Sequence, residues 1–468
     1  MLMLEPSQRT ALWKRLCEIL ESYAAEVHLG RVTPELDPTA IRALLAPFDF
    51  QTPREAVAML DFAAGNLWRL QTHTPHPRYY GLFNPAPATM GIAADALVAA
   101  LNPQLAAWSH SPLAIEIEQH LIRAMGARFG YDPASTDGTF ASGGAEANHT
   151  GVLAALTRSF PEFPRRGIRS LTGQPVFYAS AECHHSFQKA AKLCGIGLDG
   201  LRLIPADADL RMDTHALEAQ IAADRKDGFL PFLIAGTAGT TNAGAIDPLG
   251  DLADIAQREG LCFHVDAAWG GAAAMAAPLR PLIAGIERAD SITFDAHKWL
   301  SVPMGAGVFL TRHPDLLHDT FRTPTSYMPK EAEAFDVIDP HLHSMQWSRR
   351  FIGLKVFLPL AVAGWDGYEE SILHMQSMGE LLRKELAAHD WDVVNRTLLP
   401  VLCFLDRNGA DPKAIAAAVV SSGEAWISTT LLAGSRLTLR ACVTNYRTQP
   451  SDIHALIGSL DKARAGPG

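Results

Sequence analysis

In the stretch "TFDAHKWLSVPMGAG" (293–307) a lone lysine, Lys298, stands between His297 and Trp299, with Ala296, Leu300 and Val302 close by. Lysine is costly to bury, so one set among apolar neighbours is either paired or used chemically. One strand–helix–strand unit earlier, "LCFHVDAAWGG" closes a strand-like run on Asp266, followed by the small Ala267 and Ala268. An Asp at such a place also caps turns. His264 and Asp266 share a strand face and could ligate a metal, but no third ligand stands at a suitable spacing. Taken as a pair, Lys298 and Asp266 have a more specific use. An amine that forms a Schiff base, and a carboxylate that keeps a pyridine nitrogen protonated, are what pyridoxal 5'-phosphate requires of a protein.

That cofactor also needs a phosphate cradle. "GTFASGGAEANHTGVLAAL" offers a strand-like start, a tight turn at Ser142, Gly143, Gly144 and Ala145, and then a helix. Backbone N–H groups at a helix start bind a dianion, although a purely structural helix start uses the same glycine pair. It fits neither a Walker A loop nor a GxGxxG turn. In "SAECHHSFQKAAKLCG", His184 and His185 lie where a strand gives way to a helix. An imidazole there can lie flat on a cofactor ring and reach a substrate carboxylate, or be an ordinary loop histidine. In "GTAGTTNAGAID", Thr240 and Thr241 close a strand, where a hydroxyl reaches a ring substituent or simply makes a turn.

These residues must be held by elements. From about residue 81 to 355, β-rich runs ("PVFYAS", "FLIAGTAGTT", "CFHVDAAW", "SITFDAHKW", "GAGVFLTR") alternate with helical ones. Runs apolar on both faces predict an α/β fold with a mainly parallel sheet covered by helices. Functional residues then collect at the C-terminal strand ends, where Asp266 and Lys298 fall. Residues 1–80 read as a helical arm whose apolar spacing (Leu12, Leu16, Ile19, Leu20) needs a partner surface. Residues 356–468 read as a small α+β domain.

The 468-residue chain is 48 % hydrophobic and 19 % charged, a globular composition. A formal net charge of -10 argues against nucleic-acid binding. Six scattered cysteines without a CxxC spacing predict reduced thiols. No signal peptide is expected, and no segment is long and apolar enough for a membrane span. A cytoplasmic protein is expected.

Taken together, "HVDAAW", "HKWL" and "SGGAEAN" resemble the pyridoxal-phosphate-dependent decarboxylases of the aromatic-L-amino-acid and glutamate group (group II). The resemblance runs from "HPRYYGLFNPAP" to "RACVTNYRT". It implies the aspartate aminotransferase fold (fold type I), with a seven-stranded-type sheet, and a homodimer joined partly through the arm. It implies that Lys298 forms the Schiff base, Asp266 pairs with the pyridine nitrogen, Ala268 packs on the ring and His184 stacks on its other face. Thr241 would lie near the ring, and Gly144, Ala145 and His297 near the phosphate. Two positions depart from relatives. Ala145 replaces a Ser or Thr, and Asp295 replaces an Asn found in some of them. An acid near a phosphate is unfavourable unless it points away.

"FRTPTSYMPKEAEAFDVIDPH" reads as a long loop of the kind that forms lids. In the resembling decarboxylases a loop tyrosine protonates the substrate carbon, and Tyr327 stands at the matching distance. Relatives that make aldehydes carry Phe there. Tyr79, Tyr80 and Phe83, with Trp108, suit an aromatic substrate pocket or plain core. The expected reaction is decarboxylation of an L-amino acid, aromatic by preference, to an amine and CO2. Another pyridoxal carbon–carbon lyase, a transaminase-like reaction or a non-aromatic substrate are the alternatives. A non-catalytic binder has no need of Lys298, Asp266 and Tyr327 together.

Overall fold

A computed structural model describes residues 2–323, 325–328 and 335–466. The arm consists of α1 (Pro6–Glu26), α2 (Pro38–Leu45) and α3 (Ala56–Leu70), none of which buries a residue. Asp37 caps α2 by accepting from the Thr39 and Ala40 amides, and Glu55 caps α3 in the same manner. Two further helices, α4 (Thr89–Leu101) and α5 (Pro112–Arg128), lead into the sheet.

Seven strands form that sheet: β1 (Asp137–Ala141), β2 (Pro175–Ser180), β3 (Leu201–Ile204), β4 (Leu230–Thr237), β5 (Cys262–Asp266), β6 (Ser291–Asp295) and β7 (Gly307–Thr311). Their order is β1-β7-β6-β5-β4-β2-β3. β7 runs antiparallel to both its neighbours, and the other adjacent pairs are parallel. Every residue of β1, β2, β5, β6 and β7 is buried, which explains why these segments read as unbroken apolar runs. The helix α6 (Gly144–Ser159) follows β1 and packs across the sheet, burying ten of its residues, among them Ala147, Asn148 and Val152.

A long helix, Leu354–Ala388, is interrupted at Gly364 (φ 66°) and leads to the second sheet. This comprises β8 (Trp391–Val393), β9 (Val401–Asp406), β10 (Ser428–Leu432) and β11 (Arg436–Cys442), all antiparallel in the order β10-β11-β9-β8. Among the described residues no helix is long and apolar enough to cross a membrane.

Candidate active site

The C-terminal ends of β1, β2, β4, β5 and β6 converge on one cleft. Asp266 is the last residue of β5 and Lys298 comes three residues after β6. The Lys298 side chain is 23 % exposed, and its Nζ lies 3.0 Å from Oδ2 of Asp295, which is 2 % exposed. Trp299 and Leu300 anchor the segment in the core. Ser301, at φ 56°, then turns the chain sharply, and its amide donates to the Lys298 carbonyl (3.1 Å). The Lys298 amine is thus held at the edge of the cleft by a buried, strained turn.

Asp266 is 4 % exposed, and both its oxygens accept hydrogen bonds. Oδ1 takes the Ala268 amide (3.0 Å) and Oδ2 takes the Asn148 Nδ2 (2.8 Å). The same Asn148 nitrogen donates to Ser186 Oγ (2.8 Å), and its Oδ1 lies 3.1 Å from His264 Nε2. His264 Nδ1 meets Ser291 Oγ at 2.8 Å. Burial pushes His264 down to about 4, so the ring is neutral near pH 7 and donates through Nε2. The HxD pair is therefore joined through an amide, with both imidazole nitrogens taken by protein groups.

His184 lies in the turn between β2 and the helix Ser186–Leu193. Its Nδ1 accepts the Ser186 amide (3.2 Å) and meets Ser186 Oγ (2.9 Å), which leaves Nε2 to carry the proton of the neutral ring. Burial lowers its pKa below 6.5, Asp266 opposes that shift and Lys298 adds to it, so the imidazole is close enough to feel both charges.

The glycine turn is built for close approach. A Cβ on Gly144 would stand 2.8 Å from Asp295 Oδ2 and 3.2 Å from the Ala268 Cβ. A Cβ on Gly307 would stand 2.6 Å from Gly143 Cα. His297 is buried, accepts the Ala306 amide at Nδ1 (3.1 Å) and places Cε1 3.5 Å from the Cβ position of Gly143. Ala145 is exposed at the start of α6. The free N–H groups there, the positive end of a 16-residue helix and a nearby lysine suit a phosphate-bearing aldehyde. The donor set fits pyridoxal phosphate: Lys298 for the aldehyde, Asp266 for the ring nitrogen, and the Gly143–Gly144 turn with His297 for the phosphate.

Of the threonines, Thr240 Oγ1 accepts the Ala245 amide (3.1 Å) within a turn. Thr241 offers its carbonyl to Arg440 Nε (3.0 Å). The aromatic residues scatter. Phe83 stacks on Trp269 at 4.5 Å, next to Ala268, whereas Tyr79 packs on Trp426 at 5.1 Å. Tyr80 is wholly buried in the hydrophobic core beside the second sheet, so it fills space there and has no face on the cleft. Trp108 Nε1 donates to Glu116 (2.8 Å), and its ring meets Phe335 at 5.8 Å. Tyr327 is 74 % exposed and stacks on Trp347 at 6.2 Å. The neighbouring residues 324 and 329–334 of the expected lid lie outside the described residues.

Asn148 and Ser186 were not singled out as members of the site from the sequence, and neither was Arg440, whereas Asp295 was noted there as an acid near the phosphate. Asn148 could have been found, since it lies four residues after Gly144 on one helix face. Arg440 is 2 % exposed. It donates to Thr241 O and Gly81 O and lies 4.9 Å above the Phe83 ring. Its Nη2 is without a hydrogen-bond partner among the described residues.

A mainly parallel α/β sheet that presents a lysine, a ring-nitrogen carboxylate and a glycine cradle at its strand ends defines a pyridoxal-phosphate enzyme. Comparison with known proteins narrows the class. Residues 38–406 match the family model described as the pyridoxal-dependent decarboxylase conserved domain, and the chain belongs to that family. It is 31 % identical over 437 residues to an aromatic-L-amino-acid decarboxylase of Bacillus atrophaeus, covering 90 % of this chain and 88 % of that one. It is 32 % identical over 334 residues to the cysteine sulfinic acid decarboxylase of Mus musculus, covering 71 % and 67 %. The crystal structure of mouse CSAD superposes with a TM-score of 0.90 at 26 % identity, over 98 % of this chain and 99 % of that one. The protein is a pyridoxal-phosphate-dependent amino-acid decarboxylase.

Proposed function

We propose that this decarboxylase acts on aromatic L-amino acids, releasing CO2 and the corresponding amine, as a cytoplasmic homodimer joined through its 1–80 arm. Residues 81–355 form the cofactor-binding part and 356–468 the small domain in this reading. The observation that carries it is the aromatic stack next to Ala268, where Phe83 meets Trp269 at 4.5 Å and both rings are buried behind the site. An aromatic backing of this kind is compatible with an aromatic side chain in front of it. The Bacillus atrophaeus relative, similar over nine-tenths of this chain, carries the matching name.

Bound pyridoxal phosphate supplies an aldehyde for the amine and a ring that withdraws electrons from the substrate carbon. The chain's own residues do the rest. Lys298 Nζ would hold the aldehyde of the bound group. Asp266, fixed through both oxygens, keeps a proton on the ring nitrogen. His184 covers the ring and offers Nε2–H to the substrate carboxylate. Tyr327 delivers a proton to the carbon that CO2 leaves, which requires its loop to turn inward from Trp347.

A second reading is favoured by Arg440, a buried guanidinium without a carboxylate partner among the described residues, close to Phe83 and Thr241. Such a cation suits an acidic substrate, in line with the name of the mouse relative. One experiment separates the two. Purified enzyme is given tryptophan, tyrosine, phenylalanine, glutamate, aspartate and cysteine sulfinate, and CO2 and amine are both quantified. Turnover of the first three supports the aromatic reading. Turnover of acids only, lost in Arg440→Met, replaces it. Product without CO2 rules out decarboxylation of that substrate.

A further inference from the structure

The carboxylate beside Lys298 is oddly placed for a site that must accept a phosphate. Asp295 ends β6 and its side chain is 2 % exposed. Its Oδ2 lies 3.0 Å from Lys298 Nζ and 3.9 Å from His297 Nε2, while Oδ1 has no partner among the described residues. The same Oδ2 lies 2.8 Å from where a Cβ of Gly144 would be, so the acid rests against the first residue of α6. The carboxylate therefore occupies the positive end of the helix, where a bound phosphate also belongs. Among the described residues no lysine or arginine other than Lys298 pairs with it. His297 is pushed towards its neutral form by burial. Lys355 is held by Asp95 (3.4 Å) and the Met304 carbonyl (2.7 Å). Glu146 accepts from Ser142 Oγ (2.6 Å) and adds a second negative charge at the helix start.

We propose that Asp295 is a positioning residue that holds the Lys298 ammonium and opposes the cofactor phosphate, so that its charge slows and weakens capture of pyridoxal phosphate. The proposal rests on Lys298 as the Schiff-base lysine. To form that bond, Nζ must lose a proton to solvent. Its lone pair then attacks the aldehyde carbon, and the aldehyde oxygen leaves as water, giving a C=N bond. The buried carboxylate holds Nζ at 3.0 Å, and that contact must open before Nζ can reach the aldehyde carbon. It also keeps a negative charge beside an arriving dianion, in a medium where charges are weakly screened. An amide of the same shape would keep a hydrogen bond to Nζ, donate to the phosphate and remove both obstacles.

The test compares the full-length wild type with Asp295→Asn after the cofactor has been stripped from each. Pyridoxal phosphate is added and its absorbance followed, and affinity is measured by equilibrium dialysis. No substrate is needed. Asp295→Asn should bind about tenfold more tightly or more, with faster growth of the Schiff-base band. Weaker or unchanged binding, with the fold intact by circular dichroism, overturns the proposal and leaves Asp295 a structural ion-pair partner. The Lys298→Met background checks the charge effect without the covalent bond. There Asp295→Asn should raise the melting temperature of the stripped protein and tighten non-covalent binding, because it relieves an unpaired buried carboxylate. A fall in both quantities overturns the proposal. A wild type that forms no band, or a Lys298→Ala variant that still forms it, defeats the Schiff-base assignment itself, and the proposal falls with it.

Discussion

Asn148 joins three partners through one amide: the Asp266 carboxylate, the Ser186 hydroxyl and the His264 ring. Through Ser186 it also reaches His184, so the Asp266 carboxylate and the His184 imidazole are referenced to one side chain. Replacing it by Ala strands two buried polar groups, each at about 1–3 kcal/mol. Asn148→Ala should therefore lower stability by about 2 kcal/mol or more in urea unfolding and alter the cofactor's absorbance. Asn148→Asp, which faces Asp266 with a second carboxylate, should cost more activity than Ala. A variant with wild-type spectrum and turnover would remove Asn148 from this role. The neutral His264 makes a separate statement about pH. Its folded pKa is depressed by burial from 6.5 to about 4, so the unfolded chain takes up a proton that the fold refuses. Stability is then lost as pH falls through that window. The loss from this residue between pH 6.5 and 5 is about 2 kcal/mol at about 1.36 kcal/mol per unit. Urea midpoints at both pH values for wild type and His264→Gln should show a shallower dependence in the variant. At this scale the sequence marks candidate groups for chemistry, since Lys298, Asp266 and His184 stand at or just after strand ends. It hides what aims them, because an amide in a helix looks the same whether it faces solvent or a carboxylate.

Between the elements, the cradle depends on β7 passing close beneath the turn that follows β1. Gly307, the first residue of β7, would with a Cβ press on the backbone of Gly143 at 2.6 Å. Backbone cannot rotate out of the way as a side chain can. Gly307→Ala should destabilise the fold by about 1–3 kcal/mol and weaken cofactor binding by displacing the glycine turn. Gly250→Ala, with open space around it at the start of a helix, should leave both unchanged or stabilise slightly. Thermal melts and dialysis of the two variants side by side check this, and a Gly307→Ala enzyme with normal affinity would dissociate β7 from the cradle. The alternation of strands and helices was legible because strands buried on both faces are written as short apolar runs. The reversed direction of β7 was not read, since composition carries no sign of direction. Its signal was length: residues 296–306 between β6 and β7 contain no helix, and a parallel crossover needs a dozen or more residues.

Across the whole molecule the unresolved need is cover for the arm. Tyr23 of α1 meets Trp68 of α3 edge-on at 5.0 Å, and Arg15 pairs with Asp61 at 2.7 Å. The arm's base is tied to the C-terminal part of the chain, where Thr33 Oγ1 donates to the Val420 carbonyl (2.6 Å) and Arg447 to that of Ala24 (2.9 Å). Beyond that base, Trp13 remains 56 % exposed, Leu20 44 % and Leu67 59 %. Helices in proteins draw most of their stability from packing, and this 21-residue helix buries none of its residues. A second copy of the chain is the occupant consistent with the homodimer proposed above, since a two-fold contact lets each arm cover the other. Light scattering at micromolar concentration should give twice the 50.6 kDa chain mass. Trp13→Glu combined with Leu20→Glu should shift that mass towards one chain and lower the melting temperature by several degrees, because the charges would enter an apolar contact. A wild type that runs as a single chain would sink the dimer. A double variant that stays paired would move the interface elsewhere on the molecule and leave the arm's apolar face to another partner.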